Sequence, residues 1–280
     1  MLFRSYFFGE SLNIKYDDHS VKYLDSLLPP DQIKIWDIFE LDINKINRKD
    51  LNCFNFLIKK NKLIFTNYIK FLIKMNLNKN SSIYSDNNYS NNIKFTKYNK
   101  DIYFFYGYWQ NDSYFSENFF EIKKKFKFKK NLSLKLLVNN SSKYDHIIGI
   151  HIRGGDYLNR KNKKIFHHVD QEYYQSNIKQ FKKKYEKSLF IIFTDDLNYA
   201  NYLLPNLDVD YRYIHSITSN RFDDFQYLSL CDHFIIPNSS FSLWAAYFCQ
   251  NKKKNIIMPD NWFKKQYTDD YKTKNFFKDV

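Results

Sequence analysis

Glycine is scarce in this chain, with five residues in 280, and cysteine is scarcer, with three. Cys53, Cys231 and Cys249 are odd in number and lack CxxC spacing, which excludes a disulfide framework and a cysteine zinc site and points to a reducing compartment. No stretch is long and apolar enough to cross a bilayer. The opening residues, MLFRSYFFGESLNIKYDD, lack an uninterrupted apolar core followed by a small-residue cleavage site. The expectation is a cytoplasmic protein, any membrane contact being peripheral on the inner face. Asn-x-Ser triplets such as Asn111-Asp112-Ser113 then read as by-products of composition. Disorder is excluded too, because 44% hydrophobic and 20% aromatic residues far exceed what a coreless chain carries.

What is abundant is positive charge, a formal net +14. The lysines fall in runs at 123–130, 160–164, 182–184 and 252–254, scattered along the chain, and no nucleic-acid motif accompanies them. The charge therefore reads as a basic surface suited to anionic substrates or membrane headgroups rather than to nucleic acid. Lys, Asn, Ile, Tyr and Phe are all plentiful, as in an AT-rich coding sequence, so single residues of these types carry little information.

A chain of this length holds about two domains and a real core. In the first half, SLLPPDQIKIWDIFEL (26–41) has a Pro-Pro stop and then a short apolar run. LNCFNFLIKKNKLIFTNYIKFLIKMNL (51–77) is dense enough in apolar residues for one or two helices. NKNSSIYSDNNYSNN (78–92) reads as a mobile surface loop, and DIYFFYGYWQN (101–111) as a buried strand ending at Gly107.

The second half is more regular. The β-branched run HIIGIHIR (146–153) marks a buried strand. After a basic loop, Asp170 stands where an N-cap would, and Tyr174, Ile178, Phe181 and Tyr185 follow at spacings of 4, 3 and 4, one face of a helix. Strands are expected at 189–196, 211–216, 233–237 and 255–259, with helices at 197–205, 221–231 and 239–250. Alternation of this kind with short links predicts a parallel sheet covered by helices, an α/β fold.

Ligands of open α/β sheets bind beyond the carboxyl ends of the strands, so the residues following each strand are the candidates. Three of the five glycines, Gly149, Gly154 and Gly155, lie in IIGIHIRGGDYL (147–158). Arg153 offers a planar fork that can hold a pyrophosphate bidentately. Gly154 and Gly155 let backbone N–H groups approach a phosphate, or simply make a turn. Asn238, Ser239 and Ser240 open a helix, as an anion site or as plain capping. Asp195 and Asp196 could accept from a ribose or base edge, or serve as an N-cap and a solvated neighbour. His151, alternating with Ile150 and Ile152, is a ligand-facing or a satisfied strand histidine. No His or third carboxylate stands at ligand spacing from the aspartate pair, so no metal is expected.

GIHIRGGDYL resembles the H-x-R-R-x-D stretch of the α-1,2-fucosyltransferases, glycosyltransferase family 11. The likeness continues in order through IFHHVDQEYYQSNI, FIIFTDD, DDFQYLSLCDHFIIPNSSFSLWAAYF and IIMPDNWF, and FFYGYWQNDSYF upstream resembles the family's Gly-Tyr-Trp-Gln segment. The resemblance implies a GT-B-like fold of two Rossmann-like halves: an acceptor-side domain at 1–135 and a GDP-fucose-binding domain at 136–280. It implies inverting transfer of L-fucose from GDP-fucose to the 2-hydroxyl of a galactoside in a glycan, with no cofactor and no metal. By position, Arg153 would bind the pyrophosphate and balance the charge on departing GDP, while His151 and Asp224 would touch the guanine or ribose. Asp156 would orient the loop and is the candidate for taking the acceptor's proton. Ser239 and Ser240 would bond phosphate, and Tyr108, Trp109 and Gln110 would line the acceptor side.

Two departures stand out. Gly154 occupies the place of the family's second arginine. The family's opening strand and Gly-Gly-Leu-Gly-Asn-Gln turn have no counterpart, and MLFRSYFFGESL resembles the segment just after that turn, which would leave an exposed sheet edge. These keep open a degenerate relative that binds nucleotide or glycan without turnover. FSLWAAYF also has Leu243 and Ala245 where the family tends to have Trp and Gly, a matter of packing.

Overall fold

The computed structural model describes residues 39–40, 81–86, 102–107, 119–134, 138, 143–214 and 221–264. The chain forms two compact units, residues 1–127 and 128–280.

In the first unit, strands Ser81–Asp86 and Ile102–Gly107 pair in parallel, Ser81 opposite Ile102 and Asp86 opposite Gly107. The second of these falls within the strand expected from the sequence. The first corrects the reading of 78–92 as a surface loop. Its Asn- and Ser-rich composition conceals a strand because pairing satisfies the backbone whatever the side chains, and strand propensity is set by context. Phe39 is fully buried, with Phe126 edge-on at 5.1 Å between ring centroids. The helices expected over 51–77 lie outside the described residues.

The second unit alternates β1 (His146–Ile152), α1 (Gln171–Lys184), β2 (Ser188–Thr194), α2 (Leu197–Leu203), β3 (Tyr211–Tyr213), α3 (Arg221–Ser229), β4 (His233–Ile235), α4 (Ser240–Phe248) and β5 (Ile256–Ile257). The five strands form one parallel sheet in the order β3-β2-β1-β4-β5. This is the α/β fold that the alternation predicts, and its strand order is that of doubly wound nucleotide-binding sheets.

The period-2 alternation of β1 separates the two faces of the sheet. Ile148, Ile150 and Ile152, all fully buried, pack in one core cluster with Tyr174, Ile178 and Phe181 of α1 and with Ala200 and Leu203 of α2. Gly149 faces the other way, where a Cβ would stand 2.6 Å from Leu228 of α3, and His151 meets Phe241 of α4 at 5.2 Å. Helix α1 starts where the sequence predicts: the Asp170 carboxylate accepts the Tyr173 N–H at 2.9 Å, a bond worth about 1 kcal/mol in such caps. Tyr185 lies just past the end of α1 and stacks on His233 at 3.9 Å. The strands run slightly shorter than their apolar letters. β2 stops before Asp195 and Asp196, which turn to other partners, and β4 stops before Pro237, which has no N–H for a ladder.

Candidate functional site

Chain connections leave β1 and β4 toward opposite faces of the sheet, and between such strands a crevice opens at their carboxyl ends. The residues after β1 and β4 are therefore the site's foundation.

After β1, the strand register does the assembling. Ile152 is paired with Thr194 on β2, so the next rung sets Arg153 beside Asp195. The Arg153 guanidinium donates through Nη1 to Asp195 and through Nη2 to Asp156. The other Asp195 oxygen accepts the Gly154 N–H at 2.7 Å. With its side chain only 10% exposed, Asp195 is committed to this loop. Gly155 has φ +44° and a Cβ there would stand 2.8 Å from Asp195 Oδ2, while a Cβ at 154 would stand 2.5 Å from the Asp196 Cβ. The glycine pair is thus required by the close passage of the aspartates. Asp196 itself caps α2, accepting the Tyr199 N–H at 3.0 Å.

An aromatic column supports the arginine. The guanidinium carbon lies 5.5 Å from the centroid of the Tyr157 ring; Tyr157 stacks on Phe166 at 4.6 Å, and Phe166 on Phe263 at 5.3 Å. The Tyr157 hydroxyl donates to the Asn238 carbonyl at 3.1 Å, which joins the loop after β1 to the loop after β4.

After β4, Asn238 is buried and its amide donates to the Trp262 carbonyl at 2.6 Å. Ser239 is the N-cap of α4, yet its side chain makes no capping bond, and Ser240 begins the helix. Arg153, Gly154, Gly155, Asp156, Asp195 and Asp196 therefore form one cluster, tied through Tyr157 to the Asn238–Ser240 turn. His151 is 4% exposed, and burial, reinforced by the Arg153 charge, lowers its pKa to about 3, so the ring is neutral. Its Nδ1 is buried without a hydrogen-bond partner. Asp224 lies in the first turn of α3, one residue before Phe225, whose ring meets Phe241 at 5.6 Å. Tyr108, Trp109 and Gln110 lie outside the described residues.

Two residues not singled out from the sequence, His167 and His168, line a small hollow together with Arg153, Tyr157 and Asn238. Burial lowers the pKa of both, and the Lys264 charge adds to this. A signal was present: the pair stands just before the Asp170 cap, hence at the end of α1 nearest the strands' carboxyl edge. Among the described residues no three His, Cys, Asp or Glu side chains are grouped to hold a metal ion, and no helix is long and apolar enough to cross a membrane.

The sheet is doubly wound, with an arginine and a helix start at its switch point, where sheets of this order hold their ligands. The model of glycosyl transferase family 11 matches residues 46–279, and the chain belongs to that family. It is 30% identical over 216 residues to an alpha-1,2-colitosyltransferase of Escherichia coli, covering 74% of this chain and 72% of that one. It is 26% identical over 135 residues to galactoside alpha-(1,2)-fucosyltransferase 2 of Pongo pygmaeus, covering 45% of this chain and 38% of the relative. Among solved structures, POFUT1 in complex with GDP matches 56% of this chain and 54% of that one, with 10% identity and a TM-score of 0.36.

Proposed function

We propose that the protein transfers L-fucose from GDP-fucose to the 2-hydroxyl of a galactoside in a glycan, with inversion and without a metal. The acceptor oxygen would attack the anomeric carbon as its bond to the β-phosphate oxygen breaks. GDP leaves with the electron pair, and the hydroxyl proton passes to a base. The charge growing on GDP needs fixed donors in a shielded place. The observation that carries this reading is the placement of Arg153: a guanidinium three-quarters buried at the switch point of a Rossmann-order sheet, in a chain of a glycosyltransferase family. Two of its N–H groups serve Asp195 and Asp156, out of five in a guanidinium, which leaves donors for phosphate. The α4 N-terminus at Ser239 and Ser240 would add N–H groups and hydroxyls, and His151 and Asp224 would meet the nucleoside. Asp156, 57% exposed, is the carboxylate assigned to the acceptor's proton. Tyr108, Trp109 and Gln110, in an acceptor-side domain spanning 1–135, would receive the galactoside. The basic surface would meet anionic headgroups on the inner face of the membrane.

A second donor is favoured by a relative that matches over most of both chains, the colitosyltransferase, because colitose is fucose without its 3-hydroxyl. The test is a donor screen with lactose as acceptor and chelator present, measuring liberated GDP. Release from GDP-fucose that disappears in Arg153→Ala supports the reading, and release from GDP-colitose alone changes the donor. A GDP-induced rise in melting temperature without turnover on any donor replaces transfer by binding.

A further inference from the structure

The turns that hold Arg153 carry more negative than positive charge. The guanidinium is shared by Asp195 and Asp156, and Asp196 stands next in the chain with its carboxylate on the Tyr199 N–H. One positive charge thus faces three negative ones. A diphosphate brought to this cluster meets repulsion that a single, shared guanidinium does not offset. A second source of positive charge is needed, and the basic run at 160–164 lies beside it.

That run is fastened to Asp156, the residue whose carboxylate holds Arg153. The Asp156 carbonyl accepts the Asn162 side-chain amide at 2.8 Å and the Asn159 N–H at 3.3 Å. Asn159 in turn accepts the Asn162 N–H at its side chain and the Lys163 N–H at its carbonyl, both at 2.9 Å. The far end of the short helix Asn162–Ile165 is bonded by the Lys264 N–H, which reaches the Ile165 carbonyl at 2.9 Å. The backbone of Arg160, Lys161 and Lys163 is therefore fixed against the arginine's own turn, while all three residues are exposed.

Among the described residues no carboxylate pairs with these three cations. Two other basic runs are partly neutralised, Lys130 by Asp223 at 2.7 Å and Lys182 by Asp208 at 2.8 Å. Asp156, to which the 160–164 run is bonded, gives its carboxylate to Arg153 instead. The positive charge is also felt in the hollow beside the arginine. His168, whose Nε2 is buried without a hydrogen-bond partner, is held below the ordinary histidine range by burial first and then by the Lys264 and Lys163 charges.

On the nucleotide-sugar reading above, we propose that Arg160, Lys161 and Lys163 form a second cationic arm of the donor site, which binds the diphosphate together with Arg153. GDP affinity, measured on the full chain without divalent ions, tests this in the wild type and three variants. Arg160→Gln/Lys161→Gln/Lys163→Gln removes the charge of the arm, and Arg160→Lys/Lys161→Arg/Lys163→Arg keeps it. Lys182→Gln/Lys183→Gln/Lys184→Gln removes as much charge at the other end of α1, whose 14 residues span about 20 Å. That is well beyond the roughly 8 Å screening length of physiological salt.

The expected result is GDP binding about tenfold weaker in the arm's Gln variant, near-normal in its charge-keeping variant, and within about twofold of wild type in the α1 variant. Undiminished affinity in the arm's Gln variant overturns the proposal. An equal loss in the α1 variant overturns it as well, since the effect is then one of overall charge. So does an equal loss in the charge-keeping variant, since the effect is then one of the loop's shape. If the triple Gln variant fails to fold, Lys163→Gln and Lys163→Arg replace the arm's two variants under the same comparison. A wild type that binds no GDP overturns the donor-site reading and this proposal with it. A wild type whose GDP binding is lost in Arg153→Ala and kept in the arm's Gln variant overturns this proposal alone.

Discussion

After β1, the polar groups are turned inward: Arg153 holds two carboxylates, Asp195 also holds the Gly154 N–H, and Asp196 caps a helix. After β4, on the other side of the crevice, Asn238 is fixed to Trp262, but the Ser239 side chain caps nothing and α4 begins without a side-chain cap. One strand end is a latch made of the protein's own charges, and the other presents a helix start. On the proposed function, the latch would fix the direction of the guanidinium and the helix start would supply further donors.

The comparison is broken most directly at the latch. Arg153→Ala leaves the nearly buried Asp195 without its cation, and loss of one partner of such a pair costs about 3 kcal/mol. Urea denaturation should show that loss, and Arg153→Ala/Asp195→Ala should regain part of it. A single variant as stable as the wild type would mean that the arginine is not a latch. Acid comes next. His151 has a folded-state pKa of about 3 against about 6.5 unfolded, so between those values the unfolded chain binds a proton that the native state refuses. The contribution is complete above pH 6.5 and is lost as pH falls toward 3. Unfolding midpoints measured across that window should fall with pH, and less steeply in His151→Gln.

Gly155→Ala forces a side chain into the left-handed region, at about 1–2 kcal/mol, and presses on Asp195; a lower melting temperature together with weaker GDP binding is expected. The smallest stability effects sharpen the contrast between the two helix starts. Asp196→Ala should cost about 1 kcal/mol through the lost cap, whereas Ser239→Ala should cost less than about 0.5 kcal/mol and still weaken GDP binding. A Ser239→Ala variant that loses as much stability as Asp196→Ala and binds GDP normally would reverse the assignment.

Much of the second unit is legible in its sequence because each strand is a short β-branched or aromatic run and each helix has one apolar face, as with Tyr174, Ile178 and Phe181. The carboxyl-end rule then selects loops that the fold does bring together, after β1, β2 and β4. Pairings across the sheet are not legible. Nothing in the letters says that Arg153 meets Asp195, since that contact comes from the register of two strands 42 residues apart. Gly154 reads from the sequence as a lost cation. In the fold it is also the place where Asp196 comes too close for a side chain, so the glycine and the α2 cap fit each other. Ser81–Asp86 escaped because its partner, not its composition, makes it a strand. His168 escaped because an orphaned ring nitrogen is a property of packing alone.

The Trp262 carbonyl accepts from both Asn238 and His167, and the Lys264 N–H reaches the Ile165 carbonyl. During synthesis on the ribosome, these anchors emerge about a hundred residues after the arginine they help to hold. The hollow beside Arg153 can therefore be completed only once that late segment has docked, so a message cut short before codon 262 would yield a product unable to complete it.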